Sequence, residues 1–270
     1  MIESTMITVQ DTFWIWGHDA GCHSIAFPSI PGVNKMGPVE GAQYLGIPNC
    51  CRVAFAGKPE PPFDAETERL RWFKQVVWSI VGDDSSKRND NGGNDLEEVL
   101  RQAAKFPFVT GGILDDFFRP DTKDARMSVE ELAVAAERLH SAPRPLSLWV
   151  VYYAALFGID YSRWLELVDV VTFWSWTSKE LAEAEANLQR IVEMTPGKKH
   201  YAGCYLFNYG ENKEMTAEEM QTQLDLYLKL IRQKMIDGVI VCSNTVADSG
   251  VEAVEVFRNW MKEHGRETLD

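Results

Sequence analysis

Short, continuously apolar runs recur along the chain at a spacing of about thirty residues, the period of a strand followed by a helix. They cover residues 12–17, 50–57, 75–82, 108–115, 146–155, 168–176, 200–208 and 238–243. Most are apolar throughout, without the alternation of a half-exposed sheet. That is the pattern of parallel strands covered on both faces. Helical signals lie between them. Leu96, Val99, Leu100 and Ala103 have helical spacing within 95–105, and 65–73 is a shorter charged and apolar stretch. Ser128 with Glu131 forms a capping box that opens a helix over 132–140. Thr177 with Glu180 and Thr216 with Glu219 open two more in the same way. A last helix over 250–264 lines up Val251, Val254, Phe257, Trp260 and Met261 on one stripe.

Eight strands alternating with helices predict a single (β/α)8 barrel, the TIM-barrel fold, over residues 1–270. A doubly wound open sheet is the rival, but it would place a Gly-rich phosphate loop after its first strand. Gly17-His18-Asp19-Ala20-Gly21 is no such loop. Two connections stand out, 19–49 and 83–94. The second is polar and Gly-rich and predicts a mobile surface loop.

Charge narrows the partners. A net charge of −13 argues against nucleic acid and anionic membrane, which both reward Lys and Arg. No apolar run approaches a membrane span, and residues 1–11 carry acidic groups without an apolar leader, so a cytoplasmic location is expected. The five cysteines show no CxxC spacing and predict buried free thiols.

Active sites of such barrels sit at the C-terminal strand ends. Those ends hold Trp16, His18 and Asp19, then Arg52, Asp83 with Asp84, Asp115 with Asp116, Tyr152, Trp174 and Trp176, Asn208 and Tyr209, and Asn244. There is no Gly-x-Ser-x-Gly elbow, P-loop or HExxH pair. Carboxylates, amides and aromatic rings remain, and they suit a small sugar or oligosaccharide, which stacks a C–H face and hydrogen-bonds through hydroxyls. Asp115 and Asp116 close an apolar strand. Like charges so close push one pKa up, so that one carboxyl donates a proton while the other stays anionic. The competing use of such a pair is to cap the next helix. No acid ends strands five to eight, which argues against the ordinary pair of carboxylates facing each other across a glycosidic bond.

Gly112-Ile113-Leu114-Asp115-Asp116-Phe117 resembles the strand-four motif of the O-GlcNAcase-type β-N-acetylglucosaminidases. The resemblance implies that the substrate's acetamide is the nucleophile, with Asp115 orienting and polarising it and Asp116 as general acid/base. Asn208 fits a contact to a sugar hydroxyl. The family's further acidic anchor for the sugar has no counterpart, because strand six ends in Trp174-Ser175-Trp176. The expected function is therefore glycosidic hydrolysis with catalytic Asp115 and Asp116. The expected binding set is Trp16, His18, Arg52, Asp83, Tyr152, Trp174, Trp176, Asn208, Tyr209 and Asn244, with no metal and no cofactor. Two alternatives stay open. One is a metal-dependent sugar isomerase, epimerase or lyase using His18, Asp19, His23, Asp83, Asp115 and Asp116 as ligands. The other is a carbohydrate-binding barrel without catalysis.

Overall fold

The computed structural model describes residues 6–90 and 92–269; Met1–Thr5, at the head of the segment read for a leader, and Asn91 in the 83–94 connection lie outside it, as does Asp270. Eight parallel strands close into a barrel in chain order: β1 (Phe13–Gly17), β2 (Asn49–Arg52), β3 (Gln75–Val81), β4 (Val109–Leu114), β5 (Ser147–Tyr153), β6 (Val170–Trp174), β7 (Lys199–Tyr205) and β8 (Gly238–Cys242). β8 returns to pair with β1, Phe13 opposite Val239. The fold is the expected (β/α)8 barrel.

The capping signals mark real helix starts. Ser128 opens the helix Val129–His140, its hydroxyl accepting the Glu131 N–H at 3.1 Å while the Glu131 carboxylate accepts the Ser128 N–H at 2.8 Å. Ser128→Ala is expected to cost about 1 kcal/mol, the usual worth of such a cap. In a chain of this size that lowers Tm by roughly 2–4 °C, measurable in a thermal melt; an unchanged Tm would count against the cap. Thr216 builds the same box on the helix Ala217–Arg232. At Thr177 only the hydroxyl half forms, because Glu180 turns its carboxylate to the Trp176 N–H.

Two expectations are corrected by local geometry. The apolar run 50–57 outlasts its strand, because the chain leaves the barrel after Arg52 and folds Phe55 and Lys58 onto each other. The 83–94 connection is not a free polar loop. Ser86 and Asn89 are buried, Asn89 Oδ1 accepts the Gly82 N–H at 2.9 Å, and Arg88 grips Asp95 with Nε and Nη2.

Large rings fill the barrel. Inward positions on a strand recur every second residue, so Trp14 and Trp16 share a face, as do Trp149 and Tyr153, and Tyr201 and Tyr205. Trp14, Trp149 and Tyr201 form a lower layer, with centroids of successive rings 4.9 and 4.8 Å apart. Trp16, Trp174 and Tyr205 form the layer above, at 5.1 and 5.0 Å. Gly203 makes this possible: a Cβ there would lie 2.1 Å from the Trp174 ring. The upper layer is the floor of the mouth.

Candidate active site

The β4 sequence ends in an abrupt change of chemistry, and the backbone changes with it. The Asp115 N–H still donates to Val81 O at 2.9 Å, so pairing with β3 runs one residue past Leu114. Asp116 then adopts φ +41°, a left-handed conformation that Asp enters more readily than most side chains. The turn brings both carboxyl groups to the mouth, where they line the same cavity. Neither caps a helix: the chain continues into a two-stranded ribbon of Phe118–Arg119 against Asp124–Ala125. Arg126, at the end of that ribbon, is buried and donates through Nη1 to Gly82 O at 2.5 Å and Asp83 O at 3.2 Å, tying the β3 and β4 ends together.

The two acids differ in surroundings. Asp115 is 5% exposed and accepts the Asp116 N–H at 3.0 Å. Burial, then the negative charges of Asp116 and Asp83, push its pKa well above the usual carboxylate range. Asp116 is raised mainly by burial, against two hydrogen bonds that favour its anion, from the Asp84 N–H at 3.1 Å and the Tyr153 hydroxyl at 3.2 Å. Burial and the nearby Asp116 raise the Tyr153 phenol, so it stays a donor. Burial and the closeness of two like charges thus make the pair hold a proton more tightly than an exposed carboxyl does.

The two histidines at the mouth are neutral. Burial, reinforced by the Arg52 charge, takes the His18 pKa down to about 3. Its Nδ1 lies 3.0 Å from Val53 O, which can only accept, so Nδ1 carries the proton and Nε2 is left as an acceptor. His23, on the short helix Cys22–Ala26, has its pKa lowered by burial and by His18, and its Nδ1 is 2.8 Å from the Tyr209 hydroxyl.

These groups enclose a cavity of about 210 Å³, small among ligand sites. Asp83, Asp115 and Asp116 form its acidic side; His18, His23, Phe27 and Phe55 line the wall beside β1 and β2. Trp16, Tyr153, Trp174, Trp176, Tyr205, Tyr209 and Cys242 complete it. No Lys or Arg is among the lining residues.

No protein-family model and no curated protein matches this sequence. Solved structures do match over nearly the whole chain. A provisionally named alpha-L-fucosidase of Bacteroides thetaiotaomicron aligns over 98% of this chain and 99% of its own, with a TM-score of 0.59 and 9% identity. A glycoside hydrolase family 17 beta-1,3-glucanosyltransferase of Rhizomucor miehei aligns over 87% of each chain, at 0.57 and 11%. A xylanase of Cellvibrio japonicus, a thermostable mutant, aligns over 86% of each, at 0.56 and 11%. The likeness is one of fold. The chain thus shares the (β/α)8-barrel fold of these proteins, and the neighbours bear on its architecture rather than on the Asp115–Asp116 pair or the O-GlcNAcase-type motif.

Of the residues expected in the site of this barrel, Trp16, His18, Asp83, Asp115, Asp116, Trp174, Trp176 and Tyr209 meet in the cavity. Four do not line it. Arg52 is fully buried, and its guanidinium is spent on Glu66 at 2.7 Å, on Asp19, and on the carbonyls of Gly17 and Val53 at 3.1 and 3.2 Å. Tyr152 faces outward, donating to Leu156 O at 3.1 Å between Phe118 and Phe157. Asn208 holds the loop after β7 through Ser178 and Glu211. Asn244 clamps both backbone groups of His18, at 2.8 and 3.0 Å, and so positions a lining residue from behind. Asp19, engaged by Arg52, does not join the mouth acids, and among the described residues no three His, Cys, Asp or Glu side chains gather as a metal site. The cysteines are all free, four buried and Cys22 partly so.

The sequence reading left Phe27, Phe55, Tyr153, Tyr205 and Cys242 out of the site and treated His23 only as a metal ligand. Tyr153 and Tyr205 carried a signal, since each lies an even number of residues from another inward ring, Trp149 and Tyr201. His23, Phe27 and Phe55 come from connections between strands, where periodicity is silent.

Proposed function

We propose that this barrel is a glycoside hydrolase in which the Asp115–Asp116 pair supplies the proton chemistry. The observation that carries the reading is two adjacent carboxyl groups with raised pKa values, Asp115 buried and Asp116 partly so, opening into an aromatic-walled cavity of one-ring size. A sugar ring stacks on the upper Trp–Tyr layer, with His18 Nε2 and the Asp83 carboxylate within the lining as acceptors for its hydroxyls. Asp116 is the general acid/base, delivering the one proton that the two close carboxyl groups share. Asp115 polarises the group that attacks the anomeric carbon. The wall opposite, from the ends of β6, β7 and β8, contributes Trp174, Tyr205 and Cys242 and no carboxylate. That supports a nucleophile other than a protein carboxylate, either water or a neighbouring group on the substrate such as an acetamide.

The test is turnover of p-nitrophenyl glycosides of glucose, galactose, xylose, fucose and N-acetylglucosamine in both anomers, with and without a chelator. The expected result is release of p-nitrophenol from at least one, undiminished by the chelator. Chelator-sensitive turnover would favour a metal-dependent sugar enzyme, and tight sugar binding without turnover a binding barrel; either overturns the proposal.

A further inference from the structure

We infer that a groove beside the cavity is the subsite for the leaving group, and that it takes an uncharged aromatic aglycone; the inference rests on the glycosidase reading above. The groove has a volume of about 560 Å³ and is built by the segment after β4, the end of β5 and the loop after β6. Asp116, Tyr153 and Trp176 line both it and the cavity, whereas Asp115 and Asp83 line the cavity alone. A bond joining a ring in the cavity to a group in the groove therefore crosses the edge formed by Asp116, Tyr153 and Trp176, where Asp116 is the acid that can protonate a departing oxygen.

The rings at this junction form a corner, with Tyr153 and Trp176 6.1 Å apart and nearly perpendicular at 82°. Tyr153 is fixed by its hydroxyl on Asp116. Trp176 leaves 39% of its surface exposed, an apolar face of a size that water solvates poorly and a flat ligand covers well. The floor is apolar, with Phe117, Val151 and Leu156. At the junction Glu180 accepts the Trp176 backbone N–H at 2.5 Å, and each Asp116 oxygen already accepts one hydrogen bond. A second sugar would need hydroxyl partners there, whereas an aromatic ring does not. Asp84, Asp121 and Glu180 on the rim outnumber Arg119, which disfavours a phosphate or carboxylate.

Phenyl and methyl 1-thioglycosides resist hydrolysis and differ only in the group destined for the groove. Their binding is read by tryptophan fluorescence for glucose, galactose, xylose, fucose and N-acetylglucosamine. The phenyl form of the recognised sugar is expected to bind about tenfold more tightly than the methyl form, about 1.4 kcal/mol. Ala155→Trp or Thr122→Trp, each placing a ring in the groove from an exposed position, should bring that ratio to about one. Methyl and phenyl forms binding equally to the unaltered protein, or a ratio that survives both substitutions, overturns the groove assignment while the carbohydrate reading stands. If no thioglycoside and no free sugar binds, both fall.

Discussion

Asp116→Asn is expected to lower kcat by about 10³- to 10⁴-fold, the upper part of the range that a positioned proton-transfer group supplies, while the fold and sugar binding persist. The substitution removes the titrating proton and little else. Asn keeps the volume of Asp and is among the side chains that tolerate the left-handed backbone found at Asp116. Its amide oxygen still accepts one of the two hydrogen bonds now received, from the Asp84 N–H or the Tyr153 hydroxyl. The like charge beside Asp115 also disappears, so the carboxyl that remains ionises at a lower pH than in the intact pair. Rates on the best p-nitrophenyl glycoside, circular dichroism and an equilibrium Kd for the free sugar decide the matter together. Turnover within tenfold of the unaltered protein, with the fold intact, would remove Asp116 from the chemistry.

How far the sequence could be read depends on which physical signal each residue left. Barrel strands buried on both faces appear as unbroken apolar runs, so β1, β3, β4 and β8 were located to within a residue or two. The helices with a stripe or a capping box, such as Leu96–Lys105, Val129–His140, Ala217–Arg232 and Glu252–His264, were legible from those signals. The price of that burial is parity. Where both faces of a strand are apolar, no alternation tells inward from outward, and Tyr152 was taken for the cavity in place of Tyr153. Arg52 looked like a substrate ligand because a charged residue at a strand end normally serves the mouth. Its partners Asp19 and Glu66 lie 33 and 14 residues away along the chain, and only the fold brings them to it. Asn208 and Asn244 illustrate the same limit: their side chains close loops, a use that residue type and position do not distinguish from sugar binding. The acid pair itself stood out because two carboxylates ending an apolar strand conflict with burial.

That conflict also gives Asp115→Asn two opposite effects. Activity is expected to fall by about 10²-fold or more, as for loss of a group that stabilises charge developing in the transition state. Stability at neutral pH is expected to rise. In the folded protein burial and the charges of Asp116 and Asp83 hold the Asp115 pKa well above its unfolded value. Below about pH 4, the ordinary carboxyl pKa, both states keep the proton and Asp115 carries no penalty. As pH climbs from there through the raised folded value, the unfolded chain binds fewer protons than the native one, and stability drains away. An asparagine at this position has no proton to lose. It still offers an amide oxygen to the Asp116 N–H, which now donates to Asp115 at 3.0 Å. The variant should therefore melt a few degrees above the unaltered protein at pH 7, roughly 2–4 °C for each kcal/mol regained, and the gap should close near about pH 3.5, below the ordinary carboxyl pKa. Thermal melts across that pH range provide the measurement. A variant less stable than the unaltered protein at pH 7 would mean that Arg126 and the neighbouring N–H already neutralise the buried carboxylate. The pair would then be a structural ion site rather than a store of proton affinity held for catalysis.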